Sequence, residues 1–229
     1  MKKEFNWGNS SENFRNVVGG EVLSNSFYES IYKVEKDDVV LDLGASVGVF
    51  SWSIMDRVSK VIAIEPSENC CSIIEKNIKG YPVYLEKKGF SSGGTISSKM
   101  IYDNIQNNYG WESTEDYHVE GISLKEIIEK YKLDRIDFIK TDCEGGEYAL
   151  FIDENMDFLL NNVRAIVGEF HIGQNNENAV EFRYFRDKYL KMFKNYTVCD
   201  VAGNNITDKL FNEDFIDYYS QIVLHISNN

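Results

Sequence analysis

The chain has 229 residues, a formal net charge of −13 at pH 7, a hydrophobic fraction of 43% and an aromatic fraction of 14%. That is enough apolar material for one substantial core, most simply one domain over residues 1–229, and too much for a disordered chain. The acidic excess repels nucleic-acid backbones and anionic membranes, which leaves a small or neutral ligand as the expected partner.

Four cysteines, Cys70, Cys71, Cys143 and Cys199, include a vicinal pair but no CxxC spacing, so neither a disulfide framework nor a zinc site is indicated. A reduced, cytoplasmic setting is the expectation. After Met1-Lys2-Lys3 a polar stretch stands where a signal peptide would need its apolar region, and no apolar run reaches membrane length.

In chain order, residues 1–20 are polar with scattered aromatics (Phe5, Trp7, Phe14). They read as a loosely packed start or as a lid over a ligand. Val22 to Val34 carries Phe27, Ile31 and Val34 near helical spacing and predicts a helix packed on a sheet. Residues 1–37 thus form a helical or lid segment ahead of a core at 38–172.

The core opens on a compact apolar run, Val39-Val40-Leu41, ending in Asp42. A turn bracketed by Gly44 and Gly48 leads into Val47, Phe50, Ile54 and Val58 at helical spacing. A second apolar run, Val61 to Ile64, then ends in Glu65. Short apolar runs separated by a helix-period segment predict parallel strands with a crossover helix. Pro66-Ser67 starts the next helix, with Cys70, Ile74 and Ile78 on one face and Gly80 ending it. Pro82 to Leu85 is a third strand. Lys87 to Gly94 is a turn-rich loop at the edge where a nucleoside base would lie.

Residues 95–122 fit no clean period and predict an irregular insertion or β-hairpin, with Gly110-Trp111 inside it. Excursions of that length often serve as binding loops. Ser123 to Glu126 is a capping box opening a helix through Ile127, Ile128 and Tyr131. Ile136 to Ile139 predicts a buried strand that runs out into Lys140, Asp142, Cys143, Glu144, Gly145, Gly146 and Glu147. Ala165 to Val167 predicts another, running out into Glu169 and His171. The remainder, 173–229, predicts an amphipathic helix with Phe182, Phe185, Tyr189 and Phe193 in the core, then strands at Tyr196–Val201 and Gln221–Ile226 as an antiparallel pair. The expected fold is α/β and Rossmann-like: a seven-stranded, mostly parallel sheet with helices on both faces and an antiparallel last strand.

Three chemistries fit the glycine turn. Gly44-Ala45-Ser46-Val47-Gly48 satisfies GxSxG, the nucleophile elbow of α/β-hydrolases, with Ser46 as nucleophile and His171 or His225 as base. The elbow, however, would follow the first strand instead of several. A dinucleotide fold wants GxGxxG, and only Gly44 and Gly48 remain of it. The third pattern, acid-x-Gly-x-x-x-Gly followed by an acid ending the next strand, is that of class I S-adenosylmethionine-dependent methyltransferases.

Leu41-Asp42-Leu43-Gly44-Ala45-Ser46-Val47-Gly48, Ile64-Glu65-Pro66, Gly121-Ile122-Ser123-Leu124, the run Ile139 to Glu147 and Glu169-Phe170-His171 occur in this order. Together they resemble the FkbM family of methyltransferases over about residues 38–172. Ser46 stands where the family often has asparagine, and Gly146 where alanine is common. The resemblance implies a Rossmann-like class I methyltransferase that uses S-adenosylmethionine. Its implied reaction is O-methylation of a hydroxyl on a small-molecule or glycan substrate, such as a sugar, a glycan or a secondary metabolite.

The residues suit that chemistry. Backbone N–H groups from Gly44 through Ser46 to Gly48 would face the cofactor's carboxylate, Asp42 its ammonium directly or through water, and Glu65 both ribose hydroxyls, while Gly89 and Phe90 would flank the adenine. For the base, His171 comes first because its ordinary pKa lies near neutrality, and Asp142 second; Glu144 and Glu169 would orient His171 or grip substrate hydroxyls. Lys140 would pair with a carboxylate and be structural. The carboxylate cluster offers oxygen ligands of the kind Mg2+ takes, although no pattern of residues calls for the ion. A non-catalytic cofactor-binding partner subunit is the reading from another class. The clustering of Lys140, Asp142, Glu144, Glu169 and His171 at two strand ends is more than a silent site requires.

Overall fold

The computed structural model describes residues 4–24, 27–96, 119–173 and 176–228. Its main sheet has seven strands: β1 (Val39–Leu43), β2 (Lys60–Ile64), β3 (Val83–Glu86), β7 (Ile136–Thr141), β8 (Val163–His171), β9 (Asn195–Cys199) and β10 (Gln221–Ser227). Their spatial order is β3-β2-β1-β7-β8-β10-β9. The first five run parallel, and β10 lies antiparallel to both β8 and β9.

The near-continuous apolar runs follow from burial on both faces. On one side Leu41, Ile62 and Ile139 join a core with Phe170, Phe182 and Phe185. On the other, Val40, Val61 and Phe138 pack with Phe50 and Ile54 of α2 (Val49–Ile54). α3 (Glu68–Asn77) is capped by Ser67, whose hydroxyl accepts the Cys70 amide at 3.4 Å. α4 (Leu124–Tyr131) opens on the expected capping box of Ser123 and Glu126. α5 (Asp153–Asn162) returns the chain to β8.

Three segments differ from expectation. The stretch Val22 to Val34 is not one helix: a π-type turn at Gly20–Ser24 and a 3-10 turn at Phe27–Glu29 take its place. Glu29 explains part of this, since its carboxylate accepts the Val34 amide at 2.8 Å and pairs with Arg57 at 2.6 Å, bonds that replace a helical ladder. The polar start carries α1 (Glu12–Gly19), capped by Ser11, and buries Phe5 and Phe14 against Val47, Val49, Cys70 and Ile73. The Lys87–Gly94 loop contains a two-residue strand, β4 (Gly89–Phe90), parallel to β6 (Val119–Ile122), which also pairs antiparallel with β5 (Thr95–Ile96). Two residues are too few to show alternation, so this small sheet has no signature in sequence. The body of the predicted insertion, with Gly110-Trp111, lies outside the described residues.

The predicted amphipathic helix is α6 (Asn176–Tyr184), continued by a π-type turn at Phe185–Tyr189; Phe182, Phe185, Tyr189 and Phe193 are buried as expected. A short α7 (Phe215–Tyr218) precedes β10. Among the described residues no helix is long and apolar enough to cross a membrane.

The order β2-β1-β7 positions the site. The chain leaves β1 to build one side of the sheet and returns to build the other, so the ends of β1 and β7 bound the crevice where open α/β sheets bind ligands.

Candidate active site

A cavity of about 1130 Å³ opens at that crevice. Its walls include Gly44, Ala45 and Ser46 after β1, Glu65 after β2, and Gly89 and Phe90 in the small sheet. Asp142 and Glu144 follow β7, and Glu169 and His171 end β8. Nine of the eleven residues singled out from sequence therefore meet in one space; Asp42 and Gly48 do not reach it.

The glycine turn is shaped by close approach. Gly44 has φ +70°, and a Cβ there would sit 1.8 Å from the Asp142 carbonyl oxygen. Gly48, at φ +84°, caps α2, and a Cβ there would meet Ile74 at 2.8 Å. The turn's amides are largely spent inside the protein. Gly44 and Ala45 donate to the Ile64 carbonyl at 3.1 and 3.0 Å, and Gly48 donates to Ala45 at 2.8 Å. With the Gly44, Ala45 and Gly48 amides engaged within the protein, the turn offers a surface that a ligand can approach closely.

Asp42 does not line the cavity. It is fully buried, with Ser51 Oγ donating to Oδ2 at 2.6 Å and Lys140 Nζ 3.4 Å from Oδ1. It stands opposite Lys140 in the β1–β7 register, and the two charges pair. Lys140 donates onward to the Gly44 carbonyl at 2.6 Å. Burial opposes its charge, but Asp42 and Asp142 outweigh burial and hold the ammonium above its ordinary range.

Glu65 ends β2 at the cavity wall with 7% of its surface exposed. Its Oε1 accepts the Ser67 amide and its Oε2 the Ser46 amide, each at 2.8 Å. Burial is the dominant influence and pushes its pKa up to about 7 against those two hydrogen bonds.

At the far end of the cavity His171 is 3% exposed and surrounded by acids. Its Nδ1 lies 3.0 Å from Glu147 Oε1, and its Nε2 lies 3.3 Å from Glu144 Oε2 and 3.8 Å from Glu169 Oε1. Burial alone would lower its pKa, but the Glu147 hydrogen bond and the charges of Glu147, Asp142 and Glu144 prevail and raise it to about 10. These neighbours favour the imidazolium form of the ring. The expectation of His171 as the base rested on an ordinary pKa near neutrality, which this environment shifts upward. With both ring nitrogens facing carboxylates, His171 offers Ser46 no proton acceptor. His225 faces Ser30 instead, with Nε2 3.4 Å from the hydroxyl, so the elbow reading lacks its base at either expected histidine.

Glu147, not among the residues assigned a role from sequence, organises this end. Fully buried, it accepts the Cys143 amide at 2.7 Å and the Gly145 amide at 3.0 Å as well as facing His171. Its place in the Asp142–Glu147 run was the available signal. Two other contacts had none. Tyr28 donates its hydroxyl to Asp142 Oδ2 at 2.9 Å, and Gln221 Nε2 donates to Glu169 Oε1 at 2.6 Å. One ligand atom each from Asp142, Glu144 and His171 lie within 4.8 Å of one another, a spacing that a metal ion could bridge once the ring gave up its proton.

The sequence profile of the methyltransferase FkbM domain matches residues 42–199, more than half of the chain. No curated protein sequence matches significantly. Among solved structures, a Clostridium thermocellum protein assigned as an rRNA methylase superposes with a TM-score of 0.51 at 13% identity, covering 90% of this chain and 96% of that one. Streptococcus mutans SMU.1697c, assigned as a methyltransferase and solved with S-adenosylhomocysteine, gives a TM-score of 0.48 at 9% identity, covering 90% and 95%. A Plasmodium falciparum dimethyladenosine transferase gives 0.45 at 14% identity; 90% of this chain spans 60% of that one. At these identities the likeness is one of fold, and the family rests on the profile. With the Rossmann-like sheet, the glycine turn and the strand-end acids in place, the chain belongs to the FkbM methyltransferase family.

Proposed function

We propose that the protein transfers a methyl group from S-adenosylmethionine to a hydroxyl oxygen of a sugar, a glycan or another secondary metabolite. The observation that carries this reading is that Glu65 and Asp142, on strands either side of β1, open onto one cavity of about 1130 Å³. Bound there, S-adenosylmethionine supplies an electrophilic methyl carbon and a neutral thioether leaving group.

The chain's own residues do the rest. Glu65, when ionised, accepts the ribose hydroxyls, and Phe90 lies against the base. Asp142 takes the acceptor's hydroxyl proton as the oxygen bonds to the methyl carbon and the carbon–sulfur pair returns to sulfur. His171, held charged by Glu147, keeps Glu144 and Glu169 turned toward the acceptor end, where both accept substrate hydroxyls. In-line placement of oxygen, methyl carbon and sulfur supplies much of the rate, so a rigid wall is worth more here than a strong base. The net charge of −13 favours an uncharged acceptor over a nucleic acid.

Isothermal titration with S-adenosylhomocysteine, with EDTA and with Mg2+, tests the cofactor half. Transfer of tritiated methyl to the methyl α-glycosides of rhamnose, fucose and glucose tests the acceptor half. Binding near micromolar with glycoside-dependent transfer is the expected result. Absence of binding would sink the methyltransferase reading, and binding without transfer would sink the sugar acceptor.

A further inference from the structure

We propose that Tyr28 is a positioning residue of the transfer reaction, holding one oxygen of Asp142 so that the other meets the acceptor hydroxyl. This role rests on the protein being a methyltransferase of hydroxyl acceptors. Tyr28 precedes the family-matched stretch and stands 114 residues from Asp142 in sequence, yet its hydroxyl donates to Asp142 Oδ2 at 2.9 Å on the cavity wall.

The phenol is held by packing. Its ring meets Phe27 and Phe50 edge-on, with centroids 5.2 and 5.6 Å away, and the Lys140 ammonium lies 5.3 Å from its centroid. Only 7% of the residue is exposed. The direction of its hydrogen bond is therefore set by the core.

That matters because an aspartate's terminal torsion is soft, with broad and nearly two-fold preferences. Lys140 and His171 both place positive charge near Asp142 and would draw a loose carboxylate toward themselves. A donor fixed at Oδ2 removes that freedom and leaves Oδ1 to receive the proton. The contact is made to the base and not to the cofactor, so its loss should fall on turnover and spare cofactor affinity. Because Tyr28 acts through Asp142, its loss should matter only where Asp142 is present.

The test uses the full chain as wild type, Tyr28→Phe, Asp142→Asn and the double variant, with tritiated S-adenosylmethionine and the same three methyl glycosides. Tyr28→Phe keeps the ring and its packing. It should lower kcat by about 10- to 100-fold while leaving the glycoside KM and the S-adenosylhomocysteine Kd within about twofold. In the Asp142→Asn background the same change should cost nothing further.

An unchanged kcat in Tyr28→Phe would overturn the proposal. So would an equal proportional loss in both backgrounds, which marks a structural role, or a Tyr28→Phe protein that no longer binds S-adenosylhomocysteine. A wild type that binds S-adenosylhomocysteine but methylates none of the glycosides would overturn the acceptor reading, and this inference with it.

Discussion

Ser46 and Glu65 meet across the turn that opens the cavity: the Ser46 amide donates to Glu65 Oε2 at 2.8 Å, and burial pushes the pKa of the same carboxylate up to about 7. Gripping a ribose diol requires the ionised form. Affinity for S-adenosylhomocysteine should therefore climb roughly tenfold between pH 6 and 8 and then level off. Glu65→Gln should bind about 10- to 100-fold more weakly with no pH slope. Titrations at four pH values check both, and a wild-type affinity flat across that range would remove Glu65 from the ribose.

The same carboxylate bears on stability. Its ordinary pKa of 4.5 becomes about 7 in the native state, so between those values the native protein keeps a proton that the unfolded chain has released. Stability from this group is greatest below pH 4.5 and declines as pH rises to 7, by about 3 kcal/mol in all. Urea unfolding of the free protein at pH 5 and 7, compared with Glu65→Gln, isolates that contribution as the part of the slope the variant lacks.

His171 sets an alkaline counterpart. Its pKa rises from 6.5 to about 10, so its stabilising charge is fully present below pH 6.5 and is lost as pH climbs through 10. His171→Gln should be less stable than wild type at pH 6.5 and nearly indifferent to further alkali, whereas wild type should weaken steadily. Glu147→Gln leaves the buried imidazolium without its nearest partner and should cost about 3–5 kcal/mol. Denaturant midpoints at pH 6.5 and 9.5 measure both variants, and matching pH slopes for wild type and His171→Gln would contradict a charged ring.

Turnover separates the acids from the serine. Asp142→Asn should lose about 10²–10⁴-fold in kcat with cofactor affinity intact. Ser46→Ala should keep both within about threefold, because Ser46 reaches Glu65 through its backbone amide. If wild type hydrolyses p-nitrophenyl acetate and Ser46→Ala does not, the elbow reading returns.

Gly44→Ala places a Cβ against the Asp142 carbonyl at a φ of +70° and should cost about 3 kcal/mol or more. Thermal melting measures it, and a shift under about 2 °C would mean that the strand ends are free to part.

Much of this was legible in the chain. Apolar runs ending in Asp42, Glu65, Asp142 and His171 placed four strand ends, and a parallel sheet brings such ends to one edge whatever the loops do. Which carboxylate Lys140 pairs with was not legible, because register is invisible until two strands are set side by side. His171 was found and the upward shift of its pKa was not, since that depends on how close Glu147, Glu144 and Asp142 come to the ring. Tyr28 left no trace because its partner lies 114 residues away and no short motif spans that distance.

Gly44 lies against the Asp142 backbone, and the Asp142 amide in turn donates to the Leu43 carbonyl at 3.1 Å. The ends of β1 and β7 are thus fixed against each other by main-chain atoms. Tyr28 and Gln221, which hold Asp142 and Glu169, come from beyond residues 42–199. Variation in the two flanks can therefore reach both acids without altering the family-matched stretch.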